Sequence, residues 1–106
     1  MNTIIFSGKL LADARFVKSD RGNFISFSLF EIGKGHDAPK LDVTQNTKGE
    51  EEPKIMDYLK KFTTVIVTGT PYAKMGKNQE NQSVPALCAF ADKIEIVEFS
   101  KKPENN

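Results

Sequence analysis

The stretch Phe24-Ile25-Ser26-Phe27-Ser28-Leu29-Phe30-Glu31-Ile32 decides the fold class. It holds neither glycine nor proline and alternates with the period of two that marks a half-buried strand. Ile25, Phe27 and Leu29 form one face, which reads as core. Phe24, Ser26, Ser28 and Phe30 form the other, where two aromatic rings flank a pair of serines. Upstream, Lys18-Ser19-Asp20-Arg21-Gly22-Asn23 is dense in turn-forming residues and predicts a hairpin loop. Before it, Thr3–Leu10 reads as a strand with Ile4, Phe6, Gly8 and Leu10 on one side and Ile5, Ser7 and Lys9 on the other.

Downstream, Gly33–Pro39 is loop and Leu41–Thr44 gives only a weak strand signal, while Asn46–Glu52 is polar and acidic. Pro53 suits the opening of a helix, since its missing N–H has no partner in a first turn. Ile55, Tyr58, Leu59 and Phe62 then recur at helical spacing and predict a helix over Lys54–Phe62. Thr63–Gly69 reads as a strand with Val65 and Val67 inward, and Tyr72–Lys74 extends it beyond Pro71. Met75–Ser83 is a polar hairpin tip. Val84–Phe90 and Lys93–Phe99 close the set, separated by a predicted bulge at Ala91-Asp92. Five strands with one short helix between the third and fourth predict an all-β, five-stranded oligonucleotide/oligosaccharide-binding (OB) barrel. The 106 residues, 39% of them hydrophobic, suffice for one domain, expected over residues 1–100, with a short flexible tail at 101–106.

Composition narrows the function by exclusion. One cysteine, Cys88, permits no internal disulfide and no cysteine-built zinc site, and one histidine, His36, leaves little for Ser/His or Cys/His catalysis. His36 with Asp37 supplies too few ligands for a metal, and Glu50-Glu51-Glu52 reads as a solvated run. No nucleophile–base pair, phosphate loop or paired acids emerge, so neither enzyme activity nor a cofactor, metal or small-molecule substrate is expected. No apolar run approaches the ~20 residues of a membrane helix, so the expected location is cytoplasmic. The net charge is only +1, but it is unevenly spread. Residues 1–36 carry five basic and three acidic side chains, a net of +2, and Tyr58–Lys77 carries four lysines and no acid, a net of +4. Between them, Asp37–Asp57 has three basic and six acidic residues, a net of −3. A positive face therefore requires the first and third segments to meet in space.

Several of these residues resemble the bacterial single-stranded DNA-binding protein family, including its primosomal relative. Asn2-Thr3-Ile4-Ile5-Phe6-Ser7-Gly8-Lys9-Leu10 followed by Asp13 is similar to that family's opening strand. Gly22-Asn23-Phe24 running into Ile25–Leu29 resembles its glycine turn and second strand. Tyr58-Leu59-Lys60-Lys61 leading into Val65-Ile66-Val67-Thr68-Gly69 resembles its helix end and fourth strand. The departures are equally concrete. There is no tryptophan, and the positions that would hold the family's stacking tryptophans look like Lys34/Gly35, a site within Leu41–Thr44, and Gly76. Phe62 stands where the family ends its helix with glycine, and the family's acidic tail with a terminal phenylalanine is expected to be absent.

Sequence-independent binding of single strands needs a basic groove for phosphates and flat side chains under the bases. The candidates for phosphate are Lys9, Arg15, Lys18, Arg21, Lys34, Lys74 and Lys77, and those for stacking are Phe24, Phe30 and Tyr72. For the two phenylalanines the alternative is cover by loops or a partner subunit, and Phe16 is divided between core and groove. Ile5, Ser7 and Ile66 lie on outward faces, and the resemblance implies that the first strand pairs subunits, giving a homodimer or homotetramer. The expected function is sequence-independent single-stranded DNA binding in replication, recombination or repair. RNA is not distinguished from DNA by these residues. The alternative is an OB-fold protein-interaction module that has lost most nucleic-acid binding.

Overall fold

The computed structural model describes residues 2–33, 38–49, 51–77 and 79–99. Its elements are β1 (Ile4–Leu10), β2 (Arg15–Val17), β3 (Phe24–Phe30), β4 (Lys40–Asn46), a 3₁₀ turn (Lys54–Asp57), β5 (Thr64–Lys77) and β6 (Ser83–Glu98). The strands follow the order β1-β5-β6-β4-β3-β2, and a further β1–β3 pairing closes the sheet into a barrel. All neighbours are antiparallel except β4 and β6.

The expected five strands become six because the first is broken. β1 pairs with the end of β3 through Lys9↔Phe30 and Leu10↔Leu29, whereas β2 pairs with its start through Arg15↔Ser26, Phe16↔Ile25 and Val17↔Phe24. The two pieces thus share one edge of β3 and act as a single bent strand of the OB barrel. Gly8 makes this closure geometrically feasible, since a Cβ there would collide with the Phe30 carbonyl. The Ser19–Gly22 turn joins β2 to β3 as expected, with the Gly22 N–H donating to the Ser19 carbonyl at 3.1 Å.

The predicted helix over Lys54–Phe62 shrinks to a single 3₁₀ turn. The cause is competition for backbone donors by the corner between β1 and β2. Lys61 N–H donates to the Asp13 carboxylate at 2.7 Å and Phe62 N–H to the Leu10 carbonyl at 2.9 Å. The Leu59 carbonyl accepts from Ala14 N–H at 2.9 Å. Groups committed to these bonds cannot continue an i→i−4 ladder. Phe62 ends the segment in the left-handed region, at φ 70°. Of the expected apolar stripe, Leu59 is buried and Ile55 packs on the core, but Tyr58 and Phe62 are exposed; Met56 fills the place between strands instead.

Three other segments are longer than their sequence signal. β4 runs to seven residues where Leu41–Thr44 alone was expected, because β3 supplies a partner for every one of them. β5 continues unbroken through Pro71 to Lys77, and β6 runs without interruption across the predicted gap. The bulge falls where expected: Thr68 pairs with Lys93 and Gly69 with Ala91, which leaves Asp92 unopposed. The core is Leu10, Ile25, Phe27, Leu29, Leu41, Val43, Val65, Val67 and Ala89, with Met56 and Leu59 from the turn segment. Phe16 also packs against it from β2, facing inward beside Ile25.

Candidate nucleic-acid interface

Side chains opposite one another in a ladder share a face, so the registers define the outer wall of the barrel row by row. One row joins Arg15, Ser26, Thr44, Phe90 and Thr70, and a second joins Ser28, Asp42, Cys88 and Tyr72. Lys9, Phe30 and Lys40 begin a third, which Ala86 and Lys74 extend in the same phase. Val17, Phe24 and Asn46 make the last. In β3 the buried Ile25, Phe27 and Leu29 alternate with half-buried Phe24, Ser26, Ser28 and Phe30. Both phenylalanines therefore lie on the outer wall.

The rings on this wall are organised. Tyr72 and Phe90 stack with centroids 4.5 Å apart and planes 20° from parallel. They are diagonal neighbours, since Tyr72 opposes Cys88 and Phe90 opposes Thr70. At the other end of the third row, Phe30 meets Phe62 edge-on at 6.4 Å, and the Lys61 ammonium lies 5.0 Å from the Phe62 centroid. Phe90, 47% exposed, was passed over in the sequence as part of a closing strand. Asp92 reverses the phase of β6, so the outward residues are Ala86, Cys88 and Phe90 before it but Lys93 and Glu95 after it. Phe62 was missed because helical spacing turned it inward.

The cations bracket these rings. Lys9 is half-buried beside Phe30, and Lys40, with no role assigned from sequence, is exposed on the opposite side of that ring. Arg15, Lys18 and Arg21 are exposed around the β2–β3 hairpin, next to Phe24. Lys74 and Lys77 are exposed along the β5–β6 arm, which runs past the Phe30 end of β3. The two hairpins thus stand at opposite ends of the wall, separated by the length of a seven-residue strand, about 20 Å. Lys34, His36 and Asp37 lie outside the described residues, as do Glu50 and the predicted tail. Among the described residues no group of three His, Cys, Asp or Glu side chains is placed to hold a metal ion.

The second wall, formed by β1, β5 and the end of β6, is different. Ile5 opposes Thr68 and Ser7 opposes Ile66, with Lys93 and Glu95 on the far side. Ile5 is 71% exposed, and Lys93 and Glu95 pair with each other at 3.4 Å. Cys88, which its alternation places on the ring-bearing wall, is nonetheless buried there, in the row between Asp42 and Tyr72. No helix among the described residues is long and apolar enough to cross a membrane.

A closed β-barrel with a bent first strand and a short helical turn between β4 and β5 is an OB fold. Solved structures of similar fold include proteins described as single-stranded DNA-binding. The small single-stranded DNA-binding protein of Streptomyces coelicolor superposes with a TM-score of 0.72 at 17% identity, covering 90% of this chain and 93% of that one. The mitochondrial single-stranded DNA-binding protein of S. cerevisiae gives 0.67 at 13% identity, covering 93% and 97%. A scan against protein-family models and a search of curated sequences give no match. The likeness is thus one of fold, over nearly the whole of both chains, and it is the fold implied by the sequence resemblance.

Proposed function

We propose that this protein binds single-stranded DNA without enzymatic activity, by stacking bases on its outer rings and neutralising phosphates at both ends of that wall. The observation that carries the reading is the row structure around β3. Phe24, Phe30, Tyr72 and Phe90 lie on one outer surface among serines and threonines, flanked by Arg15, Lys9, Lys40 and Lys74. Rings interleaved with hydroxyls add little to a core, and base stacking on such rings contributes about 1–3 kcal/mol per base. The neighbours of like fold, themselves described as single-stranded DNA-binding, support the same reading. Roles in replication, recombination or repair follow from this activity. The exposed Ile5 with Ser7 and Ile66 supports pairing of two barrels through the second wall, as a homodimer or a tetramer of such pairs.

The test compares single-stranded DNA, RNA and duplex DNA in a gel-shift titration at several salt concentrations. Single strands bind in preference to duplex, and the logarithm of the affinity falls by about 0.7 per phosphate contact for each logarithm of salt. Binding indifferent to salt would remove the phosphate contacts from the mechanism. No binding to any strand would favour an OB module that serves protein contacts alone.

A further inference from the structure

Among the described residues in the rows of the ring-bearing wall the one acid is Asp42, at the centre. Its row neighbours are Ser28 on β3 and Cys88 and Tyr72 on the other side. A carboxylate at this point repels passing phosphates, so it weakens binding unless it meets a hydrogen-bond donor. The Ser28 hydroxyl donates to Asp42 Oδ1 at 2.7 Å, which fixes the carboxylate and leaves Oδ2 as an acceptor. The Lys93–Glu95 ion pair lies on the other wall, remote from Asp42.

Beside Asp42 the surface opens. The β4–β6 pairs begin at Asp42↔Cys88. Before that point the two strands part around a cleft of about 340 Å³ lined by Ala38, Lys40, Asp42, Pro85, Ala86 and Leu87. By volume the cleft admits a pyrimidine ring; its lining includes both Asp42 and Lys40, and Cys88 separates Asp42 from Tyr72 along the row. Cytosine and thymine stack alike but differ at one edge: cytosine presents an amino donor where thymine presents a carbonyl acceptor.

We propose that Asp42 gives this surface a base preference: with a base seated in the β4–β6 cleft, its Oδ2 accepts from an exocyclic amine, so cytosine is held over thymine. This rests on the single-strand binding proposed above. Ser28 is a positioning residue in this arrangement, and Lys40 contributes charge without discrimination.

The experiment measures fluorescence anisotropy of labelled dC and dT oligonucleotides of about 15 nucleotides at one low salt concentration. The wild-type chain binds dC about fivefold or more tightly than dT. Asp42→Ala levels the two. Asp42→Asn levels or reverses them, because Ser28 still holds the amide oxygen and turns its nitrogen toward the base. Lys40→Ala weakens both and keeps their ratio. Equal binding by the wild type, or a dC preference that survives both Asp42 variants, overturns the base preference and leaves single-strand binding standing. Failure to bind either oligonucleotide overturns single-strand binding itself, and the preference with it.

Discussion

The two outer walls of this barrel share β5, β6 and one core, yet their surfaces differ in kind. On the wall centred on β3, rings stand between hydroxyls and cations. On the wall of β1 and β5, Ile5 and Ile66 stand beside Ser7 and Thr68, with the paired Lys93 and Glu95 at one edge and Lys9 and Glu98 either side of Thr64 at its end. The first surface suits a ligand that has flat apolar faces and a negative backbone. The second suits another copy of itself, since small and aliphatic groups lose little when desolvated. A β-strand gives each wall only every second residue, so the specialisation lies in those outward positions and not in the shared interior.

The harshest way to break the contrast is to remove the rings. Phe24→Ala with Phe30→Ala is expected to cost about 100-fold in oligonucleotide affinity, from roughly 1–3 kcal/mol per lost stack, with an unchanged mass in sedimentation. A smaller particle would reassign the rings to a subunit contact. Next comes the junction between the walls. Gly69 sits at the bulge, where a Cβ would strike the Phe90 carbonyl and the Ala91 Cα. Gly69→Ala should therefore lower stability by about 2 kcal/mol in denaturant titration, and should disturb Phe90 along with it. A variant as stable as wild type would mean that the close approach is not needed.

On the opposite wall, Ile5→Asp is expected to weaken self-association about tenfold or more, as charges are depleted from interface cores, while each barrel still binds oligonucleotide. Loss of DNA binding without a change of mass would dissolve the division of labour. The finest test concerns single charges. Lys74→Ala should reduce the slope of log affinity against log salt by about 0.7 and weaken all sequences alike. Lys93→Ala, which removes an exposed ion pair on the other wall, should change stability by less than about 0.5 kcal/mol and leave the salt slope alone.

Much of this was legible in the residues. The period-2 patterns of β1, β3 and β5 survive in the burial of Leu10, Ile25, Phe27, Leu29, Val65 and Val67. The turn at Ser19–Gly22 and the bulge at Asp92 also stand where local chemistry put them. The helix was misread because its spacing is truly helical, whereas the decisive bonds come from Asp13 and Leu10, far away in the chain. The weak signal of Lys40–Asn46 misled in the opposite direction, because a strand held on one side by β3 along its full length needs little propensity of its own. Phe90 and Lys40 escaped notice for different reasons: the neighbour that stacks on Phe90, Tyr72, lies on another strand, and Lys40 sits in a locally acidic segment.

By itself the sequence determined which side chains alternate and hence what each strand can bury, since that period is a property of extended backbone. It also settled the turns, whose residues carry their conformations with them. Tertiary structure alone decided which outward residues become neighbours. The pairing of β4 with both β3 and β6 brings Ser28, Asp42 and Tyr72 into one row and sets Phe90 near them, and no local rule reaches across such separations because register between distant strands is chosen by the closure of the whole barrel.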